Sequence, residues 1–182
     1  MTPPMNPAAS PPPVPSLLVM GWNEHDAGLE GWHEPERDGR NGITYRATTA
    51  MASLRLMLPP ACALHANADR PDSAVARSLW ILFAGSPSLL GGGPMRGSVE
   101  IRPEQSPRSP ATGSEAKPGE MRRMELMLLR DCWTIRSMEI PAAWTGILRV
   151  AFRMDTPVVP DRILQNGDMR ELGWYVSAAG FR

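Results

Sequence analysis

Residues 51–58 have the sequence MASLRLML, and residues 146–154 have the sequence GILRVAFRM. In both stretches apolar side chains alternate with polar or small ones, which is the spacing of a β-strand that buries one face. The two stretches therefore predict strands packed on a common core. The side chains expected on the buried faces are Ala52, Leu54, Leu56 and Leu58 in the first stretch, and Leu148, Val150 and Phe152 in the second.

Four further stretches favour strands over helices. Residues 98–102 (SVEIR) alternate in the same way, and residues 78–84 (SLWILFA) are continuously apolar, as in a central strand covered on both faces. Residues 120–129 (EMRRMELMLL) are good helix formers, but their alternation and the strand-like composition of residues 132–140 favour two strands. About eight short strands without a long amphipathic helix predict an all-β fold, an antiparallel β-sandwich of jelly-roll type.

The composition indicates one domain with a tail. Among the 182 residues, 42% are hydrophobic, which supports a single core, and 20 prolines with 16 glycines favour a loop-rich β protein. Residues 1–16 are rich in proline and predict a disordered arm. We expect one β-sandwich domain over residues 17–182, with a mobile loop at residues 103–119, which are rich in proline and serine.

The charge and the cysteine content limit which binding partners and which cellular compartment we expect. Nineteen basic residues balance nineteen acidic ones, which argues against binding to nucleic acid or to an anionic membrane. No apolar run approaches the roughly 18 residues of a membrane span, and the first residues do not form a secretory signal, so we expect a cytoplasmic protein. Cys62 and Cys132 are interpreted as two buried or partly buried thiols, with one disulfide as the alternative.

Two motifs carry a resemblance to a known family. Residues 31–36 (GWHEPE) open the domain and precede predicted strands at residues 43–46 and 51–58. Pro157 and residues 168–174 (DMRELGW) come before a final strand. In this order and spacing, the two motifs resemble a β-sandwich module of bacterial polysaccharide-biosynthesis proteins, which is often attached to glycosyltransferases.

The resemblance spans residues 21–182 and implies a function. It implies a carbohydrate-associated accessory module without catalysis of its own, which would act by binding a glycan, a glycosyltransferase or another protein. Two alternatives remain open. One is a small sandwich-fold enzyme that acts on a sugar through an acidic loop predicted at residues 24–38, and the other is a structural subunit that assembles through exposed strand edges.

Aromatic and charged residues near the first motif are the candidate ligand site. Flat rings stack on the C–H faces of sugars while polar neighbours bind the hydroxyl groups. Asp168 and Arg170 have two interpretations: a bidentate arginine contact to a ligand, or a structural turn that ties the last connection to the sandwich. The predicted ligand-binding residues are Trp32, His33, Glu34 and Glu36, followed by Trp22 and Arg170.

Metal and catalytic chemistry have little support in the sequence. His25 and His33 are eight residues apart, which matches no zinc or iron pattern, and no nucleophile elbow is present. We therefore predict no catalytic residues, no metal and no cofactor. Calcium bound by loop carboxylates is the alternative that the acidic segment leaves open.

Overall fold

A computed structural model describes residues 13–60, 77–104 and 120–182 of the chain. The regular secondary structure of these ranges is nearly all antiparallel β-strand, with one four-residue α-helix, α1 (Asp161–Leu164). The predicted all-β antiparallel class is confirmed. The strands are β1 (Leu17–Val19), β2 (Glu30–Arg37), β3 (Thr44–Leu58), β4 (Arg77–Ala84), β5 (Met95–Pro103), β6 (Arg122–Leu128), β7 (Thr134–Ile140), β8 (Gly146–Met154) and β9 (Tyr175–Phe181).

Strand β3 joins the two halves of the sheet. The strand order is β6-β5-β8-β3-β9-β4-β7, with β1 paired to β9 and β2 paired to β3. Near its start β3 pairs with β9 through Arg46 and Ala47, and from Met51 to Leu58 it pairs with β8. One half therefore contains β8, β5 and β6, and the other contains β9, β4 and β7. The sandwich arrangement and its jelly-roll connectivity stay predictions.

Both halves contribute to one apolar core. All seven side chains expected on the buried faces of β3 and β8 are buried. In one half, the ring of Phe83 meets Trp174 edge-on, with centroids 5.5 Å apart, and in the other half Trp32 meets Phe152 in the same way at 5.4 Å. Edge-to-face contacts of this kind add to the stability that burial provides. The two halves thus enclose a common core.

Two details of the strand prediction are wrong. Residues 43–46 and 51–58 do not form separate strands, because β3 runs through both without a turn. Strand β4 is not covered on both faces: its burial alternates, with Leu79 buried and the neighbouring Trp80 half-buried. This continuous apolar run therefore belongs to a strand that buries mainly one face.

The acidic segment 24–38 is not a loop. It contains a short 3-10 turn (Glu24–Asp26) and the strand β2, which pairs with β3 along an irregular register. The charges of β2 lie on an exposed outer strand, where polar side chains remain in contact with water.

Several sequence predictions fall wholly or partly outside the described residues. They concern residues 1–12 of the proline-rich arm, residues 105–119 of the predicted loop, and Cys62 with its pairing. Of the described remainder of the arm, Pro15 accepts a hydrogen bond from the backbone N–H of Met57. Cys132 was expected to be at least partly buried and is exposed, because it lies in the connection between β6 and β7.

Across the three described ranges, no helix is long and apolar enough to cross a membrane.

The point where β3 passes from β9 to β8 is held by a tight junction at Thr48, which is fully buried. The backbone N–H of Gly173 donates to the Thr48 carbonyl at 2.6 Å, and that of Trp174 donates to Thr48 Oγ1 at 2.8 Å. The Thr48 N–H donates in turn to the Trp174 carbonyl at 2.8 Å. Because a Cβ on residue 173 would lie 2.3 Å from Thr48 Oγ1 and 2.5 Å from the carbonyl oxygen of Thr49, only glycine permits this approach.

Replacing Gly173 by alanine should therefore destabilise the fold. We expect Gly173→Ala to lower the free energy of unfolding by about 2 kcal/mol or more, because the added methyl group meets backbone that cannot move away. Gly39→Ala is the matched control, since nothing lies within 4 Å of a Cβ built there. Urea denaturation of both variants measures the difference, and equal stabilities would contradict the close approach at Thr48.

Candidate functional site

The junction at Thr48 also aligns two tyrosines. Ala47 of β3 pairs with Tyr175, the first residue of β9. Tyr45, two residues earlier on β3, places its ring 5.1 Å from the Tyr175 ring, at an angle of 37°. A tryptophan, Trp133, also lies next to Tyr45, with ring centroids 5.8 Å apart and an angle of 60° between the rings. The three rings form a row, the aromatic row Trp133–Tyr45–Tyr175.

Trp133 reaches this row because its strand is tied to the same half of the sheet. Thr134, the first residue of β7, pairs with Phe83 of β4. The next residue of β4, Ala84, pairs with Tyr175 of β9. The start of β7 and the start of β9 therefore meet at one end of the sheet, and Trp133 lies immediately before β7.

An open cleft of about 550 Å³ lies over the aromatic row. Its size is within the range of small-molecule sites in proteins. The turn between β2 and β3 forms one wall, the end of β4 forms another, and the connection before β7 forms a third. The lining residues are Arg37, Asp38, Gly39, Arg40, Asn41, Tyr45, Ala84, Gly85, Ser86, Asp131, Cys132, Trp133 and Tyr175.

Asp38 organises the wall between β2 and β3. Its carboxylate accepts hydrogen bonds from Trp133 Nε1 at 3.0 Å, from the Arg40 backbone N–H at 2.9 Å and from Asn41 Nδ2 at 2.8 Å. These donors, led by the Trp133 indole, hold the pKa of Asp38 below its usual range. Asp38 thus remains charged and fastens Trp133 to the turn.

The two tyrosines are held at their hydroxyl ends. The Tyr45 hydroxyl donates to Glu36 Oε2 at 3.2 Å, and Ser86 Oγ donates to the Tyr175 hydroxyl at 3.1 Å. Burial is the largest cause that raises the pKa of both phenols, and the nearby charge of Glu36 adds to it. Both tyrosines are therefore neutral hydrogen-bonding groups at physiological pH.

The two sequence motifs meet next to the aromatic row. Their contact brings together Glu36, His33 and Arg170. Arg170 Nη1 bonds to Glu36 Oε1, while Arg170 Nε and Nη2 donate to the carboxylate of Asp168 at 2.9 and 2.8 Å. His33 Nε2 lies 2.8 Å from the carbonyl oxygen of Glu171, which can only accept. The arginine is thus occupied by protein carboxylates, the geometry of a structural tie between β2 and the last connection.

The other predicted ligand residues lie apart from that group. Trp32 is half-buried against Phe152, and its indole N–H donates to the Ser53 carbonyl at 2.8 Å, so its ring packs on the core. Trp22 is 74% exposed and is not among the residues that line the cleft. Glu34 is exposed and 3.7 Å from Arg46. Ligand binding by these residues stays a prediction.

The acids of segment 24–38 are largely neutralised by arginines of neighbouring elements. Glu24, which is buried, pairs with Arg46 at 2.5 Å, and Glu36 pairs with Arg170. The Arg46 guanidinium lowers the pKa of Glu24, so this acid stays ionised and bound. Among the described residues there is no group of three or more His, Cys, Asp or Glu side chains arranged to hold a metal ion.

The aromatic row was not predicted from the sequence. Neither Trp133 nor the two tyrosines, Tyr45 and Tyr175, were among the candidate ligand residues, although these are the only tyrosines of the chain. The small number of tyrosines was the available signal in the sequence. The strand register is what brings the two tyrosines together. No protein-family model matches the chain, and no curated protein matches it either.

The Asp168–Arg170 contact predicts a measurable titration. The Arg170 guanidinium lowers the pKa of Asp168 to about 2. Because the folded-state pKa is depressed, the contact stabilises the protein above the unfolded pKa near 4, and this contribution disappears as the pH falls towards 2. We expect the carboxyl carbon of Asp168 to titrate near pH 2 by NMR, and to titrate closer to 4 in Arg170→Ala.

Arg162→Ala is the control for this titration, because Arg162 is an exposed arginine on α1 without a contact to Asp168. It should leave the Asp168 midpoint unchanged. An Asp168 midpoint near 4 in the wild-type protein would show that the ion pair does not form in solution.

Proposed function

We propose that the protein is a non-catalytic carbohydrate-binding accessory module and that the cleft over the aromatic row is its glycan site. The row itself carries the proposal: three adjacent rings, Trp133, Tyr45 and Tyr175, line an open cleft with polar groups around them. Ring faces pack on the C–H faces of pyranoses, and the polar rim binds the hydroxyl groups. The rings are held by Asp38, Glu36 and Ser86, so little ordering is needed on binding.

The carboxylates of the cleft favour binding over hydrolysis. Glycoside hydrolysis needs an acid with a raised pKa that protonates the leaving oxygen, with a second carboxylate across the bond. In this cleft the pKa of Asp38 is lowered and its oxygens are occupied by three donors. Asp131 accepts from both the backbone N–H and the hydroxyl of Ser88. Both carboxylates are therefore engaged by protein donors, and Asp38 stays ionised.

The biological setting of the proposal comes from the sequence motifs. The resemblance to modules of bacterial polysaccharide-biosynthesis proteins supports a role in polysaccharide assembly, with a glycosyltransferase or another protein as partner. A cytoplasmic location belongs to the same proposal. The structure adds one supporting fact: residues 31–36 and 168–174, which carry the resemblance, contact each other beside the cleft.

Glycan binding should depend on Trp133. We expect wild-type protein to bind at least one member of a glycan array, and Trp133→Ala to weaken that binding by about tenfold or more, because an anchoring aromatic ring is commonly worth more than about 1.4 kcal/mol. Calorimetric titration with the array hit measures the affinity. Circular dichroism first shows that both proteins are folded.

Trp22→Ala is the matched control, since it removes an exposed indole that does not line the cleft. Its affinity should equal that of the wild type. A loss with Trp22→Ala and none with Trp133→Ala would move the site to the opening segment, whereas no glycan binding by the wild type would refute direct recognition and favour the structural-subunit alternative.

A further inference from the structure

Several acceptor groups of the cleft already bind protein donors, whereas some of its donor groups have no partner among the described residues. The acceptors are mostly engaged: Asp38 takes three donors, Asp131 takes two from Ser88, and Asn41 Oδ1 accepts from the Ile43 N–H at 2.9 Å. A donor group of a ligand would therefore share these side-chain acceptors with protein donors.

Two guanidinium groups are among the free donors of the cleft. Arg40 is exposed, and its side chain makes no hydrogen bond or ion pair with any described residue. Arg37 uses Nε to donate to the Gly42 carbonyl at 3.1 Å, and within the described ranges it has no carboxylate partner. By contrast, Arg170 and Arg46, which lie outside the cleft lining, are paired with carboxylates.

We propose that the cleft selects an acidic glycan, with the carboxylate of a hexuronate residue bound by Arg40 and Arg37 while its pyranose ring lies on the aromatic row. This proposal rests on the proposed function, because it names the ligand class of the same site. Two arginines with unused N–H groups line the same cleft as the three rings.

The two guanidinium groups and the aromatic row together favour a sugar acid over a simple anion as the ligand. A guanidinium presents a planar fork of N–H groups that matches a planar carboxylate in a bidentate geometry. A small anion such as inorganic phosphate would use the arginines alone and leave the row Trp133–Tyr45–Tyr175 uncovered. A neutral sugar would cover the row and leave the guanidinium groups with water.

The experiment compares two ligands that differ only at C6 of each sugar. The probes are a β-1,4-linked tetramer of glucuronic acid and cellotetraose, each titrated into full-length wild type, Arg40→Ala and Arg162→Ala. We expect the wild type to bind the acidic tetramer about tenfold or more tightly than the neutral one, as for a charge-assisted hydrogen bond. Arg40→Ala should remove this preference, and Arg162→Ala, an exposed arginine outside the cleft, should retain it.

The outcomes separate this proposal from the proposed function. Equal binding of both tetramers by the wild type, abolished by Trp133→Ala, would overturn acid selection and leave glycan binding intact. A preference for the acidic tetramer that persists in Arg40→Ala, and also when both Arg37 and Arg40 are replaced by alanine, would likewise overturn acid selection by these arginines. Absence of binding of either tetramer, together with a glycan array without a hit, would refute both proposals. Inorganic phosphate as competitor should displace the acidic tetramer only weakly, and full displacement at equal concentration would show a simple anion site.

Discussion

The hydrogen bonds between Thr48 and the Gly173–Trp174 backbone are the constraint on which the rest of the structure depends. Strand β3 pairs with β9 only as far as this point and with β8 beyond it, so the junction decides where one half of the sheet ends and the other begins. It is possible because residue 173 has no side chain. On the far side of β3, Gly31 approaches the Met51 carbonyl as closely, with a φ of +75° that favours glycine. The glycines of both sequence motifs thus pack against the same strand.

The same junction creates the cleft. With Ala47 opposite Tyr175, the ring of Tyr45 lies beside that of Tyr175, and the pairing of β4 with β7 and β9 brings in Trp133. The rings come from three segments that are far apart in the chain and meet at one end of the sheet. Their support is electrostatic as well as apolar, because Asp38 is kept ionised by the donors that it binds. The proposed sugar site is therefore largely formed before a ligand arrives.

Local sequence patterns predicted the strands and their buried faces, because both depend on the spacing of neighbouring residues. Alternation located β8 at residues 146–154 and identified the buried faces of β3 and β8, because burial of one face imposes a period of two. It did not show that β3 is one strand, because residues 47–50 (ATTA), between the two predicted strands, have no large apolar side chain to continue the alternation. The site was harder to predict. Glu36 and Arg170 were predicted separately as ligand-binding residues. Their contact across the fold, and the meeting of Tyr45 with Tyr175, follow from strand register, which no single segment encodes.

The central claim is that a glycan is bound on the aromatic row, and the indole N–H signals of the six tryptophans test it most directly. The signals are assigned by single tryptophan-to-phenylalanine replacements and followed by NMR during titration with the glucuronic acid tetramer. The account predicts a saturable shift of the Trp133 signal, because its Nε1–H binds Asp38 at the wall of the cleft, while the signals of Trp22 and of the core residue Trp144 stay in place. A saturable shift of Trp22 or Trp32 with Trp133 unchanged would contradict it.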